Sequence, residues 1–146
     1  MDEYSSCTEC DSTDPTTYGR LYNWYALDDY RKVCPIGWHV PDLYEFQNLF
    51  STVGGEAVAG LNLKSSPNDD PPWDGENNWG FSGIPGGLRN TNGNYSNGGF
   101  MGVFWASSES NSGAHWLRLH QGWFEADILG NNAGLRTGMS VRCIKD

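Results

Sequence analysis

The chain has 146 residues, with 18 acidic side chains against nine basic ones and a formal charge of −9. That length suits one domain with a sizeable core, and no apolar run approaches the ~18 residues that a membrane-spanning helix needs. Nine cations, none of them between Lys64 and Arg89, leave no basic face for nucleic acid, while the seven Trp, seven Tyr and six Phe argue against low-complexity disorder.

Residues 1–17 are polar and read as an extended leader, with residues 18–146 as the single domain. The opening Met1-Asp2-Glu3-Tyr4 has neither the basic nor the apolar region of a signal peptide. From Tyr18 the pattern changes. Leu21, Trp24, Tyr25 and Leu27 approximate helical spacing and predict a first helix over about 20–32, closed by Cys34-Pro35-Ile36-Gly37. Asp42-Leu43-Tyr44-Glu45 has the form of a capping box. Leu43, Phe46, Leu49 and Phe50 then recur at helical steps, which predicts a second helix over about 42–52 stopped by Gly54-Gly55.

Residues 56–66 suit either a short helix or a strand, and Asn68–Trp79 is an acidic loop. From Gly86 to Gly113, Gly, Asn and Ser predominate, as in loops with short strands inserted, the best of them at Phe100–Ser107. Alternating runs at Ala114–Leu119 and Trp123–Leu129 predict two more strands, and Met139–Lys145 reads as a terminal one. Two helices followed by short antiparallel strands and long Gly/Asn/Ser-rich loops is an α+β order.

Four cysteines in an acidic, Gly-rich chain suggest an oxidising compartment. A Cys34–Cys143 bridge is the expected pair. It would close a loop of about 110 residues, worth roughly 4–5 kcal/mol by chain entropy. Cys7 and Cys10 form a C-x-x-C pair in polar coil. It fits a local disulfide, pairing with another chain, or half of a zinc site that nothing else in the sequence completes.

Five ordered motifs resemble one family. They are Tyr18-Gly19-Arg20-Leu21-Tyr22-Asn23-Trp24, Cys34-Pro35-Ile36-Gly37-Trp38-His39-Val40-Pro41, Gly80-Phe81-Ser82-Gly83-Ile84-Pro85-Gly86-Gly87-Leu88-Arg89, Phe104-Trp105-Ala106-Ser107-Ser108-Glu109 and Gly138-Met139-Ser140-Val141-Arg142-Cys143. Together they are similar to the Fibrobacter succinogenes major paralogous domain. The Trp-Met-x-Glu-Asn strand with which family members usually open is absent from this sequence. The resemblance implies a C-type-lectin-like fold in the branch related to formylglycine-generating enzymes, with chain ends that pair. It also implies a bacterial protein that is extracellular or on the cell surface, and no general catalytic activity. Trp24, Trp38, Trp79 and Trp105 fall inside the motifs and are expected to anchor the core.

Some members are similar to the variable proteins of diversity-generating retroelements, in which exposed side chains change at adenines of a template. An AAC codon so rewritten cannot give Trp, Gln, Glu, Lys or Met. His115, Leu117, Leu119, His120, Asp127, Leu129 and Leu135 are reachable; Trp116, Gln121, Trp123 and Glu125 are not. The run of Asn from Asn90 to Asn132 fits unmutated template codons and ordinary turn chemistry equally.

A binding surface would sit on the Gly-rich loops and late strands, where aromatics give contact area and Ser, Asn and Gly give adaptable hydrogen bonds. Its expected contacts are Phe100, Phe104, His115, Leu117, Leu119, His120, Gln121, Trp123, Glu125, Asp127 and Leu129. Period-two alternation puts about half of them in the core. It leaves open whether Trp116 and Arg118 or Leu117 and Leu119 face water.

The carboxylates of Asp69, Asp70, Asp74 and Glu76 are the hard ligands calcium takes, though a solvated acidic loop explains them as well and no calcium-lectin sugar motif accompanies them. No other cofactor is expected. Glu125 and Asp127, at i and i+2, are a thin basis for a glycosidase, and His39 reads as a hydrogen-bonded structural histidine. The reading that results is a non-enzymatic module with a variable surface. Its partner would be a protein or glycan on another cell or host. The alternative is a structural or adhesive surface domain without a selective ligand.

Overall fold

In the computed structural model, which describes residues 15–29, 31–130 and 133–146, the capping box forms as the sequence predicts. The Asp42 carboxylate accepts from the Glu45 amide at 2.8 Å, and the Glu45 carboxylate accepts from the Asp42 amide at 2.9 Å. Helix α3 (Leu43–Thr52) follows, burying Phe46 and Phe50. Gly54 and Gly55, at φ 107° and 96°, turn the chain through a region that side chains disfavour. A further helix, α4 (Glu56–Leu63), settles the ambiguity of the next segment.

The predicted first helix is largely overturned. One turn, α1 (Pro15–Tyr18), and a five-residue helix, α2 (Trp24–Asp28), replace it. Tertiary pairing outweighs helical spacing here. Tyr22 and Met139 exchange backbone hydrogen bonds at 2.7 and 2.9 Å, which holds Tyr22 extended. Asn23 caps α2 through the Ala26 amide, and Lys32 sits at φ 55° beyond its end.

Among the described residues, three antiparallel sheets complete the α+β architecture. β1 (Trp38–His39) pairs with β7 (Ile144–Lys145). β2 (Leu88–Arg89) pairs with β3 (Tyr95–Ser96). The main sheet runs β4-β5-β6, from β4 (Met101–Ser110) through β5 (Gly113–His120) to β6 (Asp127–Leu129). The strand expected over Trp123–Leu129 is shortened to β6, because residues 121–126 form a loop packed on α4. The expected terminal strand breaks into single bridges at Gly138, Met139 and Ser140 before β7.

Both faces of β4–β5 are covered. Phe104, Ala106, Leu117 and Leu119 meet Phe46, Phe50, Ala59, Leu63 and Trp73 on the helix side. Val103, Trp105 and Trp116 meet Trp24 and Met139 on the other. Neither alternating face of β5 is therefore wet where these residues stand. Of the four tryptophans expected as anchors, Trp24 and Trp105 are buried, but Trp38 and Trp79 are 43% and 58% exposed. Trp73 and Trp116 take their place in the core.

Cys34 and Cys143 form the expected disulfide, with Cα atoms 5.8 Å apart across a separation of 109 residues. It stands beside the β1–β7 pair and joins the two ends of the described domain. Cys7, Cys10 and most of the 1–17 leader lie outside the described residues.

Candidate functional site

The expected contact residues divide by where β5 runs. Phe104, Leu117 and Leu119 are at most 2% exposed and belong to the core, so they are corrected out of the surface. Both sides of β5 carry a packed layer, and sequence alternation alone cannot register that. Phe100, Gln121, Trp123 and Glu125 are exposed. His115, His120, Asp127 and Leu129 are half-buried.

Four side chains gather at the C-terminal end of β5. Arg118 and His120 stand two residues apart and so share one face of the strand. Across the pairing of Arg118 with Asp127, the Arg118 Nε donates to the Asp127 carboxylate at 3.0 Å. After a turn closed by the Trp123 amide on the His120 carbonyl, the Trp123 ring stacks on His120, with centroids 4.6 Å apart and planes at 25°. The Arg118 guanidinium lies 5.1 Å from the same ring. Trp123 remains 36% exposed. The outcome is an amphipathic aromatic flanked by a cation, an imidazole and a carboxylate.

A buried ammonium fixes this loop from beneath. Lys64, at the end of α4, is 1% exposed. Its Nζ donates to the His120 carbonyl at 3.0 Å and to the Trp123 carbonyl at 2.9 Å, and it pairs with Asp74 Oδ1 at 2.9 Å. Two carbonyls accept its hydrogen bonds and the Asp74 carboxylate balances its charge, as a buried ammonium requires. The other Asp74 oxygen accepts from the Gly122 amide. Partial burial works to raise the Asp74 pKa, but Lys64 and that amide outweigh it and hold the carboxyl below its ordinary value.

The carboxylates of the acidic loop are mostly engaged by partners within the fold. Asp74 is turned onto Lys64, Asp69 accepts from the Ser66 amide and the Asn77 side chain, and Glu76 accepts from Asn78. Asp70 is exposed, and among the described residues no three His, Cys, Asp or Glu side chains are placed to hold a metal ion. The suggested pairing of Glu125 with Asp127 on one strand face also fails. Glu125 precedes β6 in the loop, and Asp127 is bound to Arg118.

His115 lies elsewhere. It is five residues from His120 along β5, or ~17 Å, and lines an open hollow of about 630 Å³ with Glu109, Ser110 and Leu129. His39 has the structural role expected, bridging Glu45 and Asp146 at 2.8 and 2.6 Å.

Sequence reasoning missed Arg118 and Lys64 as parts of the site. Arg118 was legible as the same-face neighbour of His120. Lys64 was the last cation before the long cation-free stretch, a position that invites pairing with the acidic loop.

Compared with known proteins, residues 2–145 match the family model of the Fibrobacter succinogenes major domain. No curated protein and no solved structure matches the chain.

Proposed function

The chain belongs to the Fibrobacter succinogenes major domain family, and on that premise we propose that it is a non-enzymatic ligand-binding module whose contact surface is the Trp123 cluster. One observation carries this reading: an indole 36% exposed on a loop that is already locked by Lys64, Asp74 and the His120 turn. A preorganised aromatic needs little further ordering when a partner arrives. Arg118, His120, Gln121 and Asp127 supply donors and acceptors for orientation. The ligand is a protein or glycan on another cell or host.

The same reading takes the α+β fold as C-type-lectin-like. Its support is the meeting of β1 with β7 beside the Cys34–Cys143 bridge, and the long loops between. The disulfide supports an extracellular or cell-surface location. No helix among the described residues is long and apolar enough to cross a membrane. Diversification by a retroelement is proposed for exposed or half-buried positions that an AAC codon can reach, among them His115, His120, Asp127, Leu129 and Leu135. Leu117 and Leu119 are excluded by their burial. A template repeat differing at adenines of those codons, beside the gene, is the matching observation.

The test compares the wild-type domain with Trp123→Ala on arrays of glycans and of cell-surface proteins. Selective binding that falls at least about tenfold in the variant, with its melting temperature kept, supports the module. Equal, unselective attachment by both proteins overturns it in favour of an adhesive domain.

A further inference from the structure

We propose that the outer edge of β6, at Ile128, accepts an extended cationic segment of a partner protein as a fourth strand of the main sheet. This site is separate from the Trp123 cluster and does not rest on the function proposed for it.

The direction of each main-chain group follows from the hydrogen bonds. The Trp105 amide donates to the Ser140 carbonyl, and the Val103 carbonyl accepts from the Ser140 amide, so these β4 residues face away from β5. Their neighbours Gly102 and Phe104 therefore bond Leu119 and Leu117. Trp116 and Arg118 then turn the other way and bond Leu129 and Asp127. That leaves the main chains of Ala126, Ile128 and Gly130 pointing outward.

Each of the two flanking residues has one of its groups engaged. The Ala126 amide donates to the Glu56 carbonyl at 3.1 Å, and the Gly130 carbonyl accepts from the Ser112 hydroxyl at 3.5 Å. Ile128 has no hydrogen-bond partner for its outward amide or carbonyl among the described residues. The opposite edge of the sheet is covered by Ser140 and Gly87. Ile128 is thus a rung with both groups open, and an open rung is a template for an added strand.

The surroundings select the occupant. Ile128 lines two hollows at once. One, of about 380 Å³, includes Gln47, Phe50 and Glu56. The other is the 630 Å³ hollow with Glu109, Ser110 and His115. A residue paired with Ile128 directs its side chain to the same face as Ile128. The residues two before and two after it share that face, ~7 Å to either side, where the hollows lie. Each hollow holds one exposed carboxylate, Glu56 or Glu109, and neither is lined by Lys or Arg. The fitting segment therefore carries Lys or Arg at positions i and i+4 and pairs its intervening main chain with Ile128.

The probe is a blocked nine-residue peptide of Thr and Val with Lys at its third and seventh positions, titrated into the ¹⁵N-labelled domain. Its counterpart carries Glu there. The expected result is saturable movement of the Ile128, Glu56 and Glu109 amide signals with the Lys peptide, and binding of the Glu peptide at least about tenfold weaker. Glu56→Lys combined with Glu109→Lys reverses that preference. Ile128→Pro removes the outward donor, a change tolerated on a solvent-facing edge, and weakens the Lys peptide by about tenfold or more. Absence of movement at Ile128 with millimolar peptide overturns the proposal, as does a Lys preference that survives charge reversal.

Discussion

The end where the chain closes and the end that carries Trp123 are held by different physics. At the first, the Cys34–Cys143 bridge, the two-residue β1–β7 pair and the His39 contacts gather segments more than a hundred residues apart. At the second, one buried ammonium ties an α-helix end, an acidic loop and the β5–β6 loop. A covalent bridge acts mainly on the unfolded chain, by removing conformations before folding begins. The Lys64 network exists only in the folded state and acts within a few ångströms. The bridge accordingly sets how stable the whole domain is, while Lys64 sets how well one loop is ordered.

Two substitutions separate these roles. Replacing Cys34 and Cys143 together by Ser removes the constraint on a loop of 109 residues, and global stability should fall by about 4 kcal/mol, read as an earlier denaturant midpoint. Hydrogen exchange at residues 120–124 should still be slower than at other surface loops of the variant. Lys64→Met keeps most of the packing stem but leaves Asp74 and two carbonyls without their donor. Breaking a buried pair from one side costs about 3 kcal/mol, with partial relief here because Asp74 retains 35% side-chain exposure. Exchange at 120–124 should accelerate far more than in the disulfide variant. Equal acceleration in the two variants would mean that the ends are not held independently.

What the sequence made legible follows the range of each interaction. The α3 capping box is a four-residue pattern with its partners inside it, and it appears as read. The disulfide was accessible because four cysteines permit few pairings. The first helix failed because its apolar spacing is shared with an extended segment, and the choice was made by Met139, more than a hundred residues away. Trp38 and Trp79 failed for a related reason: a motif marks a position in the fold, and position alone does not say whether an indole is covered. At the site, Trp123, His120 and Asp127 were legible as residue types suited to contact. The burial of Leu117 and Leu119 was not, since it depends on α3 and α4 packing against one face of a sheet whose other face is also closed.

The smallest effect belongs to His39, and its sign distinguishes the chain-closing end from the Trp123 end. Both ring nitrogens meet carboxylates, Asp146 and Glu45. The Asp146 contact first, and the Glu45 contact with it, raise the imidazole above its ordinary value of about 6.5. A group with a raised folded pKa binds its proton more tightly when folded. Its contribution is therefore complete below about pH 6.5 and fades as pH climbs through the higher folded value. Because the ring is 42% exposed, solvent screening keeps that contribution below about 1 kcal/mol. Melting temperatures of the wild type should decline slightly from pH 6 to pH 9, and those of His39→Gln should not show that component. An NMR titration of the imidazole should give a midpoint above that of a free histidine. A midpoint at or below the free value would show that Asp146 and Glu45 do not hold the proton, leaving the disulfide and the β1–β7 pair to close the chain without it.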